Sequence, residues 1–323
     1  MNPAPEFPKT EITNGIVRVM LYLPDAKAGF YRGTRFDWAG VVGSLKYAGH
    51  EFYPQRFQRT DPNVRDFIYK GAEIAASPCT AITGPSEEFM ASSQALGYEE
   101  ANPGETFVKI GVGALRKPDD AGYDRFRLYD IVDGGIWTVS MRANQVEFGQ
   151  ELPDLGAGYG YIYRKTVALA DSKPRMILKH SLRNTGKKII EGSVYNHNFL
   201  YLDHQSPGPD FVIELPFEIE LVQPLDNNLV AVRGNKINYL KTLAGEDRAQ
   251  VFIGGYGADW RDYDIRIENR KLGAGLRITC NRPLSRMYLW SIRAPLSVEP
   301  FIDMHIKPGD AFSWKITYDF YSL

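Results

Sequence analysis

Along most of the chain apolar and polar residues alternate with a period of two, in short runs broken by Gly, Pro, Asn and Asp. That period puts successive side chains on opposite faces of an extended backbone, so it predicts strands. In the first two-thirds the runs are GIVRVMLYL (15–23), VVGSLKYAG (41–49), TFVKIGVGAL (106–115), RFRLYDIVD (125–133), WTVSMRANQVEFGQ (137–150), GYIYRKTVALA (160–170), RMILKHSLRNTG (175–186) and IIEGSVYNHNFLYLD (189–203). The remainder supplies FEIELVQ (217–223), AQVFIGGY (249–256), YDIRIEN (263–269), GLRITCN (275–281), RMYLWSIRA (286–294) and AFSWKITYDFYSL (311–323). Helical periodicity is confined to 61–76. Turn signals at Asp133-Gly134-Gly135, Asn184-Thr185-Gly186 and Lys307-Pro308-Gly309-Asp310 suit hairpins. With no linker and no repeat, the pattern predicts one large antiparallel β-sandwich domain over 15–323, preceded by a proline-rich loose arm over 1–14.

Composition narrows the partners. Hydrophobic residues make up 44% and charged residues 24% of the 323, an ordinary core-forming balance. Lys plus Arg is 38 against 39 for Asp plus Glu. The basic excess that nucleic acid or an anionic membrane would demand is missing, so neither is an expected partner. No apolar run approaches the ~18 residues of a membrane span. MNPAPEFPKTEITNG has neither the basic nor the apolar region of a signal peptide. A cytoplasmic protein is expected from the chain as it stands, or a periplasmic or secreted one if a leader has been removed. Cys79 and Cys280 have no CxxC spacing and read as two core thiols. Aromatics reach 13%, which strand packing largely accounts for, although their faces also suit the C–H surfaces of sugar rings. None of these features sets an oligomeric state.

Four stretches could carry chemistry. Over 297–306, Val298, Pro300, Ile302, Met304 and Ile306 share one face; Ser297, Glu299, Phe301, Asp303 and His305 share the other. This displays Glu299 on a polar face beside an aromatic. In SVYNHNFL (193–200), Tyr195, His197, Phe199 and Tyr201 share one parity, with Asn196 and Asn198 on the opposite one. His197 reads either as a packed core residue or as a proton donor beneath a ring. In TFVKIGVGAL, Lys109 falls in line with Gly111 and Gly113, which leaves space for a ligand or marks a lysine snorkelling at an edge. In TGPSEEFM (83–90), Glu87 and Glu88 follow a turn and read as solvated loop charge. Phosphate-cradling glycine loops, HExxH and GxSxG are absent. His197, Asp203 and His204 match no standard ligand spacing, so neither a metal nor a cofactor is expected.

The order of these pieces resembles the aldose 1-epimerase (galactose mutarotase) superfamily. SLRNTG (181–186) followed by YNHNFLYL (195–202), the paired strands of 263–291, and SVEPFIDMHIKPGDAFSWKITYDFY (297–321) carry the likeness. It implies a large antiparallel β-supersandwich, a carbohydrate ligand, either a small molecule or an oligomer, and cofactor-free interconversion of sugar anomers. Matched residue by residue, His197 is the acid that protonates the ring oxygen and Glu299 the base. Lys109, Glu88, Arg35, Phe301 and Asn198 are then expected to bind substrate around them. The family's second histidine in an L-H-G-G motif and its asparagine–arginine substrate loop are absent here. Glycoside hydrolysis, elimination next to a uronate with Lys109 as the basic neighbour, and sugar binding without catalysis are the alternatives on the same scaffold.

Overall fold

The computed structural model describes residues 6–225 and 228–323. Antiparallel strands dominate, as the period-two runs predict, and they assemble into the expected supersandwich. One sheet has ten strands, in the order Ile136–Arg142, Gln145–Leu152, Tyr161–Leu169, Arg175–Asn184, Ala311–Ser322, Ala274–Cys280, Asp264–Asn269, Phe211–Glu214, Lys236–Tyr239 and Val230–Arg233. A second has six, in the order Glu220–Leu221, Ala249–Gly254, Arg286–Ser291, Leu296–Ile306, Ile190–Asn198 and Pro85–Met90. Their facing sides form one core. From the larger sheet come Leu178, Leu182, Trp314, Ile316 and Tyr318; from the smaller come Val194, Leu289, Val298 and Ile302. Each such side chain taken fully out of water contributes about 1.5–3 kcal/mol. Among the described residues no helix is long and apolar enough to cross a membrane.

Several runs fold differently from the sequence pattern. The expected helix over 61–76 is instead a small sheet, in which Phe67–Lys70 pairs with Glu73–Ala76 around Gly71 at φ +59°. Phe67 and Tyr69 satisfy a strand period there, and the left-handed backbone at Gly71 turns the chain back on itself. The runs 106–115 and 137–150 are each a hairpin rather than one strand. The first turns between Thr106–Lys109 and Gly113–Arg116, the second between Ile136–Arg142 and Gln145–Leu152. Only Ile131–Asp133 of 125–133 and Glu220–Leu221 of 217–223 pair as strand. The arm also shortens: Lys9–Thr13 pairs along Val17–Tyr22, so backbone hydrogen bonds tie it down. Residues 1–5 of the expected arm lie outside the described ones.

Gly111 shows why the 106–115 run must break. Its φ is +79°, and a Cβ there would meet the Asp37 Oδ1 at 2.5 Å. Gly111→Ala is therefore expected to cost about 1–3 kcal/mol, read as a lower urea midpoint with unchanged m-value. An unchanged midpoint would show that the turn does not need glycine.

Candidate active site

Strand register lays the site out in rows on the outer face of the six-stranded sheet. Tyr195 is opposite Glu88 on one side and Phe301 on the other, and Phe301 is opposite Arg286. One step along, His197 is opposite Ser86, while Glu299 is opposite Tyr288, which in turn faces Phe252. Period two thus brings Tyr195, His197, Phe301 and Glu299 to a single surface. Loops carrying Arg35, Arg56, Asp66, Arg125 and Phe126 form the other wall. The resulting cleft encloses about 1070 Å³.

His197 and Glu299 meet on the cleft floor, Nε2 to Oε1 at 3.2 Å, each about 5% exposed. Apolar rings surround the imidazole. Phe199 stacks on it with centroids 3.6 Å apart, and Trp290 presents its edge at 5.1 Å. Burial pushes the His197 pKa well below its ordinary 6.5, and the nearby charges of Arg35 and Arg56 push the same way. Burial also raises the Glu299 carboxyl to about 8, with Arg35 opposing and Glu88 adding to the rise. Near pH 7 the pair therefore rests as a carboxylic acid beside a neutral imidazole. This reverses the resting roles the family match implies, because a dry site disfavours both charges.

At the end of the first row, beside Tyr195 on the same sheet face, Glu88 is fully buried. It accepts hydrogen bonds from Arg35 Nε (2.7 Å) and the Tyr195 hydroxyl (2.6 Å), with Arg125 at 3.5 Å and Lys109 at 3.4 Å. Burial alone would raise its pKa; the three cations outweigh that and hold the carboxyl well below the usual range. Its neighbour Glu87 points to the opposite face, into the space between the sheets. There it meets Lys165, His180 Nε2 (2.9 Å) and Asn196 Nδ2 (3.1 Å). Consecutive glutamates thus serve two separate buried charge clusters.

The structure brings His197, Glu299, Phe301 and Arg35 together along the cleft and places Glu88 beside it, bonded to Tyr195 but outside the lining. Lys109 is not in the cleft. It is 1% exposed, donates to Glu88 and to the Phe89 carbonyl (2.7 Å), and acts as a buried counter-ion to Glu88. The hairpin sets Lys109 directly opposite Gly113 across the strand pair instead of in line with it along one strand. Asn198 has the wrong parity for the cleft. Its side chain donates to the Val298 carbonyl and accepts from Tyr318 in the core. The EEF segment is a fully buried edge strand of the six-stranded sheet, not a solvated loop, because its charges are neutralised by partners distant in sequence. Asp203 binds His50 Nδ1 (2.6 Å), and among the described residues no three of His, Cys, Asp or Glu gather as a metal would require.

Sequence reasoning missed Arg56, Arg125, Arg286, Tyr195 and Trp290 as cleft residues. The parity of Tyr195 with His197 was a usable signal for one of them; the loop arginines gave none. Lys165 and His180 also went unread. Each sits on the apolar parity of its strand, a pattern that marks a buried charge.

No protein-family model matches the sequence, and no curated protein sequence matches it. Solved structures do match over the whole chain. The Slr1438 protein from Synechocystis sp. PCC 6803 aligns with TM-score 0.58 at 12% identity, covering 100% of this chain and 99% of that one. A putative aldose 1-epimerase from Escherichia coli K12 gives 0.56 at 12%, covering 98% and 100%. The GalM/aldose epimerase homologue from C. elegans gives 0.57 at 13%, covering 98% and 100%. The chain has the galactose mutarotase-like fold.

Proposed function

We propose that this mutarotase-like fold takes a sugar in its cleft, and that Glu299 and His197 interconvert the sugar's anomers by opening and reclosing the ring. The observation that carries the reading is the 3.2 Å contact between one proton donor and one proton acceptor on an aromatic-walled floor. The anomeric and ring oxygens are bonded to the same carbon, so a closely spaced pair can serve both. The protonated member gives its proton to the ring oxygen as the other takes the hydroxyl proton, and the C1–O bond breaks to an aldehyde. Rotation about C1–C2 and reclosure with the roles exchanged restores the pair. Proton count is conserved at each step, so no cofactor enters the balance.

Hydrolysis fits this spacing less well, since carboxyl pairs for inversion stand ~6.5–9.5 Å apart and those for retention ~5–5.5 Å. Elimination loses its basic neighbour, because Lys109 is buried outside the cleft lining. Anomer-exchange NMR across a panel of neutral, acidic and phosphorylated aldoses tests the reading. Faster exchange for at least one sugar is expected; no acceleration for any would sink it.

The protonation states set a pH profile. Activity needs the pair to hold one proton, so it is expected to fall above about pH 8 as Glu299 ionises. The acid limb, where His197 gains a second proton, lies well below pH 6.5. A rate still rising from pH 8 to 10 would contradict this assignment.

A further inference from the structure

Arg56 is 2% exposed and lines the cleft, yet two of its three guanidinium nitrogens are buried without a hydrogen-bond partner among the described residues. Those two are Nε and Nη1, while Nη2 donates to the Thr80 carbonyl (2.6 Å). Arg35 and Arg125 differ, because both are committed to Glu88. Burial brings the Arg56 pKa down to about 10, so the guanidinium stays charged at neutral pH. The Asp66 carboxyl offsets only part of that burial and makes no direct ion pair with Arg56, and a buried cation so weakly balanced is costly to keep. Its planar fork matches the geometry of a carboxylate or phosphate.

Position ties Arg56 to the proton-transfer pair. Its guanidinium carbon lies 4.1 Å from the centroid of Phe199, the ring on which His197 stacks at 3.6 Å. Five arginines (Arg35, Arg56, Arg125, Arg248 and Arg286) line the cleft, against the carboxyls of Asp66, Glu191, Glu299 and Asp303. With Glu299 uncharged, the cationic excess widens.

We infer that Arg56 anchors an oxyanion subsite, and that the sugar this cleft takes carries an anionic substituent, a carboxylate or a phosphate. The inference rests on the reading that the cleft binds a sugar, and it adds the substrate class.

Titration calorimetry at pH 7 tests it with two arms: free hexuronates and hexose 6-phosphates, each against its neutral parent hexose. At least one anion is expected to bind about tenfold or more tightly than its parent, and the arm that responds identifies the oxyanion. Arg56→Met should abolish that advantage, while Arg56→Lys keeps part of it as a point charge. Burial of the Arg56 charge outweighs its attraction to Asp66, so Arg56→Met should melt no lower than wild type. Parent hexoses binding as tightly as the anions in both arms, or an advantage that survives in Arg56→Met, would overturn the proposal. Binding is read without turnover, so the two readings fail separately. Anion preference without anomer exchange removes only the epimerase assignment; exchange of neutral sugars without preference removes only the oxyanion subsite.

Discussion

Glu299→Gln is expected to slow anomer interconversion by about 10²- to 10⁴-fold, with sugar affinity changed far less. The amide keeps the shape and hydrogen-bonding reach of the carboxyl but can neither donate nor regain a proton in the cycle. His197 is left as a neutral base with no acid beside it. The same change should stabilise the fold, and the sign follows from the pKa. In the folded chain Glu299 is raised to about 8, against an ordinary value of 4.5, so between these limits the folded state holds a proton that the unfolded state has lost. The stability associated with that proton is fully present below pH 4.5 and disappears as pH rises through about 8. Glutamine never ionises. The variant should therefore melt above wild type at pH 8 and close to it at pH 4.5. Thermal melts at the two pH values, together with NMR exchange rates, provide the measurement. Wild-type exchange rates in Glu299→Gln would remove the residue from the chemistry, and a lower melting temperature at pH 8 would contradict its burial as a neutral acid.

Glu88→Ala is expected to give the largest loss of stability, about 3–5 kcal/mol. The cost comes less from losing attraction than from leaving Arg35 and Lys109 buried without a counter-charge, with the Tyr195 hydroxyl deprived of its acceptor. Glu88→Gln should lose less, because it keeps an acceptor for Tyr195 and fills the same volume. The linkage runs opposite to that of Glu299. Glu88 is held below the ordinary 4.5 when folded, so its stabilisation is complete above that value and is lost as pH falls beneath it. Urea unfolding at pH 7 and pH 4 separates the effects: the gap between wild type and Glu88→Ala should narrow at the lower pH. A gap of under about 1 kcal/mol at pH 7 would mean that solvent, rather than Glu88, balances these cations. Activity should fall as well, since Arg35 and Tyr195 shape the cleft floor.

Legibility in the sequence followed the range of the interactions. Strand alternation is local, so long runs such as 160–170, 175–186 and 311–323 were read almost to the residue. Breaks inside runs were harder. The 106–115 segment turns because Gly111 packs against Asp37, a contact that spans most of a hundred residues. The 61–76 segment lacked the long partners that make a strand unmistakable and took on a false helical period. EEF looked like a loop because two adjacent acids rarely occupy a buried strand. They do so here because Lys165 and His180 arrive from one sheet face and Arg35, Arg125 and Lys109 from the other.

By itself the sequence determined the strand-rich architecture and the parity that puts His197 with Tyr195 and Glu299 with Phe301, since side-chain direction in a strand depends only on position along it. Only the tertiary structure decided that those two parities share one surface 3.2 Å apart, and that Lys109 and Asn198 lie off it. It also decided where the proton rests. Protonation depends on burial and on charges brought close by folding, and no spacing along the chain encodes either.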